Sequence, residues 1–125
     1  MEKKTYKLPF VNNGEAFELP DPGKTGWFRR LLKIEAEVEQ KYRHLYHDEN
    51  KTAYKRLIAL DSNIETMYQV CNDVDPKVTR EQIESLIDND PQAISDFIFA
   101  LYRVDKKDFP MAEPPAPVKN KKTRK

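Results

Sequence analysis

Apolar positions in this chain recur with two different periods. Over residues 3–20, Tyr6, Leu8 and Phe10 alternate with polar neighbours, and Phe17 and Leu19 resume the alternation beyond Asn13-Gly14. Alternation marks one face of a strand. Asn-Gly accepts the positive φ angles of a type I′ turn, so a β-hairpin is expected over residues 3–20. Pro9 has no N–H for a ladder, which confines its strand to an edge or interrupts it. A lone hairpin is marginal in water and needs a helix or a neighbouring subunit to lie on.

Beyond Asp21-Pro22-Gly23 the period becomes helical. Trp27, Leu31, Ile34, Val38, Tyr42 and Leu45 recur at steps of three and four, with Phe28, Leu32 and Tyr46 widening the same face. A first helix is expected over residues 25–47. Asp48 or Asn50 is placed to cap a second helix over residues 51–73. Its stripe is Tyr54, Leu57, Ile58, Ile64, Met67 or Tyr68, and Cys71, interrupted by Asp61. Asp75-Pro76 ends it, since proline disfavours helical geometry in the residue before it.

Thr79 with Gln82 has the spacing of a capping box, and Val78 with Ile83 that of a hydrophobic staple. A third helix follows over residues 79–88, with Ile83, Leu86 and Ile87 inward. Asp90-Pro91 then reads as N-cap and first position of a fourth helix, residues 91–104, carrying Ile94, Phe97, Ile98, Leu101 and Tyr102. Phe99 stands off this stripe, about 100° from Ile98. It marks either a helix buried all round or a contact surface. The expected fold is mainly α: a single four-helix domain over residues 1–104 with an N-terminal β-hairpin. Residues 105–125, with Pro110, Pro114, Pro115 and Pro117 among lysines, lack the apolar content to fold and are expected to be disordered.

Charge sharpens this division. The tail holds seven Lys/Arg against three Asp/Glu, and the body fifteen against eighteen, so a net charge of +1 conceals a basic end on an acidic domain. The body is not a nucleic-acid surface by net charge. The chain is polar, with 34% charged residues, so apolar burial within one copy is limited and self-association is expected to complete it. Cys71 is the sole cysteine; with no second thiol for a disulfide, the chain suits a reducing cytoplasm. No secretory signal or membrane-spanning run is expected from the sequence.

The candidate chemistry is weak at every point. Gly23-Lys24-Thr25 lacks the preceding glycine of a phosphate loop, since residue 18 is Glu. His44 and His47 have a ligand-like spacing but no Cys or His partners, and a cationic side chain at a helix C-terminus is the simpler role. Cys71 reads as a small buried hydrophobe rather than a nucleophile. Asp61, Asp73 and Asp75 read as helix-face and cap carboxylates. No catalytic residue, metal site or cofactor site is expected, and the chain is not expected to be an enzyme.

Two segments carry a resemblance. Val78-Thr79-Arg80-Glu81-Gln82-Ile83-Glu84-Ser85-Leu86-Ile87 is followed by Ala93-Ile94-Ser95-Asp96-Phe97-Ile98-Phe99-Ala100-Leu101-Tyr102. A short acidic helix before a final apolar helix, then a Pro/Lys tail, resembles the tail assembly chaperones of long-tailed (siphovirus-type) bacteriophages and prophages of Gram-positive hosts. The hairpin leading into a long helix is similar as well. The resemblance implies a protein that binds the tape measure protein, and possibly the tail tube protein. It would keep the former soluble in the host cytoplasm during tail assembly and be absent from the mature virion. It also implies a longer form made by programmed frameshifting, with Lys119, Lys121 and Lys122 near the joint. Partner contacts are expected at the aromatics Phe99, Tyr102 and Phe28. The alternatives are a small regulatory or nucleic-acid-associated protein using its basic tail, or a minor phage structural protein.

Overall fold

A computed structural model describes residues 4–104; the expected disorder of residues 105–125 lies outside them. The architecture is mainly α, with an N-terminal hairpin. Strands β1 (Lys4–Tyr6) and β2 (Phe17–Leu19) pair antiparallel, with Tyr6 opposite Phe17 and Lys4 opposite Leu19. Four helices follow: α1 (Thr25–Tyr42), α2 (Lys51–Val74), α3 (Arg80–Asn89) and α4 (Gln92–Leu101).

The hairpin forms, but not through a two-residue turn. Each strand is three residues long and residues 7–16 connect them. Asn13-Gly14 does take positive φ, and Asn12 joins it, with φ of 55°, 58° and 81° along the three. Asn and Gly are the residues that tolerate this region. The loop is broad because Leu8 and Val11 are drawn into the core, at 7% and 0% exposure. The Asn12 N–H donates to Asp75 at 3.1 Å, tying the loop to the α2–α3 joint. Asp75 is thus a structural acceptor, and it also caps the joint by accepting the Lys77 N–H at 3.2 Å.

The first helix is shorter than the apolar period suggests. It ends at Tyr42, and two single 3₁₀ turns, Arg43–Leu45 and Asp48–Asn50, make the corner. Asn50 closes it: its side chain accepts the His47 N–H at 2.9 Å and donates to the Leu45 carbonyl at 3.0 Å. Asn50 therefore serves the turn rather than capping α2. Tyr46 folds back edge-on to Tyr54, with centroids 5.0 Å apart. Leu45, expected on the inner face, lies beyond the helix and is exposed.

The α2–α3 joint follows the sequence reading. Gln82 donates its N–H to the Thr79 hydroxyl at 3.2 Å, and its side chain accepts the Thr79 N–H at 2.9 Å. Val78 and Ile83 are both buried beneath this box. Replacing Thr79 with Ala is expected to cost about 1 kcal/mol. A chemical-denaturation curve of the variant checks it, with an unchanged midpoint as the contrary result.

Helix α4 also ends early, at Leu101 rather than residue 104. Arg103 takes φ 55° and breaks the helical path. Its guanidinium donates to the Pro20 and Leu101 carbonyls, both at 2.7 Å, clamping the end of α4 to the exit of β2. The core lies where these parts meet. Phe97 and Leu101 pack with Val11 and Leu19 from the N-terminal segment, Met67 and Val70 from α2, and Ile83 from α3, all at 2% exposure or less. Helix α1 runs antiparallel along α2, from Arg30 beside Gln69 and Asp73 at the core end to Tyr42 beside Asp61, and these two helices form an arm.

Candidate binding groove

The arm departs most from the apolar pattern. Among the described side chains of α1, Ile34 is buried at 3% exposure, while Trp27, Leu31, Val38 and Tyr42 are half-buried along the same face. Phe28 and Leu32, expected to widen that face, do not. They are 55% and 52% exposed. The reason is angular: α1 packs chiefly on α2, and the contact between two helices covers a narrower stripe than a helix set into a core.

The covered side is held by polar contacts as well as packing. Arg30 lies 3.9 Å over the Trp27 ring and pairs with Asp73 at 2.7 Å, while its other N–H groups reach Gln69. The Tyr42 hydroxyl donates to Asp61, and this bond pushes the hydroxyl above its ordinary pKa. Asp61, which interrupts the α2 stripe in sequence, thus meets a tyrosine from α1. Arg80 pairs with Glu65, joining α3 to α2.

On the open side, Phe28 and Leu32 form one wall of a groove of about 290 Å³. Ala59 and Thr66 of α2 line its other side, and Tyr102, just past α4, closes one end. Tyr102 is 43% exposed. Its partial burial, and after that the charge of Glu35, raise its hydroxyl pKa above the ordinary value. The hydroxyl of Ser62, also lining the groove, is buried without a hydrogen-bond partner among the described residues. A contiguous exposed apolar patch with polar edges is the usual mark of a contact surface.

Of the three aromatics expected to meet a partner, the fold brings Phe28 and Tyr102 together although they are far apart in sequence. Phe99 is half-buried on α4 and does not line this groove. Leu32 is the groove residue that sequence reasoning assigned to the wrong side. Its signal was available: with Phe28 it falls on the same helical arc as Glu35 and Glu39, the polar side of α1.

A larger groove of about 580 Å³ lies between β2, α1 and the end of α2, lined by Leu19, Trp27, Val70 and Val74. Two charged residues of its rim are committed within the fold, Asp73 to Arg30 and Arg103 to backbone carbonyls, and Glu18, Asp21 and Lys24 also line it. The residues weighed for chemistry are dispersed. His44 and His47 are exposed at the α1–α2 corner. Cys71 is fully buried, and burial pushes its thiol up to about 12.

That shift has a signed consequence. A thiol whose folded pKa is raised supports the fold below its unfolded value near 9 and loses that support as pH rises towards about 12. At neutral pH, Cys71 is expected to resist a thiol-alkylating reagent in the native protein and to react at once in denaturant. Mass spectrometry of timed samples checks this, and prompt native labelling would contradict it.

No helix among the described residues is long and apolar enough to cross a membrane. The chain matches no family model, no curated protein and no solved structure.

Proposed function

We propose that this chain is a non-catalytic holding protein, and that its groove seats an amphipathic helix of a client. The observation that carries the reading is the uncovered apolar wall of Phe28 and Leu32 facing Tyr102. Helix-in-groove recognition uses apolar anchors at helical spacing on the client, laid against such a surface. A groove of this size grips weakly, which suits a protein that must release what it holds. Many copies along one long client then act by avidity.

The resemblance of residues 78–102 to tail assembly chaperones supplies the client class. On that reading the client is the tape measure protein of a long-tailed phage, held in the host cytoplasm until tube subunits enclose it. Co-expression of the two chains is the test. The tape measure protein is expected to stay soluble and co-purify with this chain. If it precipitates to the same extent with and without the chain, the reading fails.

A further inference from the structure

The groove beside Tyr102 has charge of one sign. On α1, Phe28, Leu31 and Leu32 supply its apolar wall, and Glu35 lines it with them. Opposite, α2 presents Ala59, Ser62, Asn63 and Thr66, all neutral. No cation among the described residues lines this groove. The helical wheel gives the reason. At about 100° per residue, Phe28, Leu32, Glu35 and Glu39 fall within an arc of about 60°, and Arg29, Arg30 and Lys33 stand about 60° or more outside it. Glu39 is paired with Arg43 at 3.1 Å. Glu35 is exposed and makes no ion pair with another described residue.

An apolar wall accepts any apolar helix face, and a fixed charge at its edge decides between them. Here the charge is negative, so an acidic residue on the occupant is repelled and a basic one is drawn in. Glu35 follows Leu32 by three residues, about 4.5 Å along the axis. An occupant anchored on Phe28 and Leu32 therefore brings a residue about one turn from its anchor within reach of the carboxylate. Lys and Arg suit that position, because their stems lie along apolar surface while the charged head reaches out. From this we infer that the groove takes a basic amphipathic helix, with a Lys or Arg one turn from the apolar anchor pairing with Glu35. The inference rests on the reading of the groove as the client seat and adds the charge that selects the client segment.

Fluorescence anisotropy of the full chain with two synthetic helical peptides tests it. They share apolar residues at i, i+3, i+4 and i+7, are matched for helicity, and differ in their flanking residues, Lys in one and Glu in the other. The Lys peptide is expected to bind about tenfold tighter, the gap closing as salt is added. Glu35→Gln is expected to narrow the gap to about threefold, and Glu35→Lys to invert the preference. Glu37→Lys makes the same charge change about 180° round the helix from Phe28 and is expected to leave the preference within about twofold of the parent. Phe28→Ala is expected to weaken both peptides about thirtyfold. All of these side chains are exposed, so the melting temperature is expected to hold. Equal affinity for the two peptides would overturn the inference, as would no measurable binding of the Lys peptide. So would a preference that Glu35→Lys leaves unchanged, or that Glu37→Lys moves as far. The two readings fail separately. A chain that keeps the tape measure protein soluble without distinguishing the peptides overturns the charge selection alone, and a chain with these peptide signatures that leaves the tape measure protein to precipitate overturns the client reading alone.

Discussion

Truncating Phe97 to alanine is expected to lower the melting temperature by roughly 12–40 °C. Phe97 is fully buried, stacked edge-on by Tyr6 with centroids 5.3 Å apart, and surrounded by side chains from the hairpin and from α2. Removing a ring from such a site loses its transfer free energy and leaves a cavity, together about 3–5 kcal/mol. A domain of this size has about 5–15 kcal/mol in total, and each kcal/mol lowers the melting temperature by about 4–8 °C. Thermal unfolding followed by circular dichroism reads the loss directly. A shift of only a few degrees would mean that the hairpin and α4 relax into the space, and that the core is less tightly defined than its burial indicates.

The opposite signature is expected at the groove. Phe28→Asp with Leu32→Asp removes two anchors that are each more than half exposed. Interface anchors of this kind are worth about 2 kcal/mol each, so client affinity is expected to fall by about a thousandfold. Stability is expected to stay within about 1 kcal/mol of the parent, because neither side chain contributes to the core. The paired measurement is client solubilisation beside the melting temperature. Lost stability with lost holding would assign Phe28 and Leu32 to the α1–α2 interface; retained holding would move the client seat elsewhere.

The element order was legible from local signals. The capping box at Thr79 and the Pro/Asn/Asp breaks placed the helices to within a few residues, because such signals act through the backbone of the same few residues. What sequence could not reach was set by distant partners. Arg103 ends α4 by binding carbonyls beyond β2, a contact spanning 83 residues. Val11 is buried because the hairpin loop turns into the core, although it stands outside the alternating stripe. On the arm, a widened apolar face on α1 looked like deeper burial. Whether Phe28 faces a core or solvent depends on how many neighbours α1 has, and periodicity does not count neighbours.

The two ends of the described fold close on one another. Tyr6 meets Phe97, and Leu19 and Pro20 meet Arg103. During translation the hairpin emerges before the helices it packs on, and it lacks Phe97 and Leu101 beneath it until α4 has left the ribosome. Helices α1 and α2 are local partners and are free to pair long before that. The nascent chain therefore presents its arm, groove included, ahead of a finished core. Helix α4, the last of the described helices, completes the core, so an arrest of synthesis before Phe97 would release a paired arm attached to an open, sticky remainder.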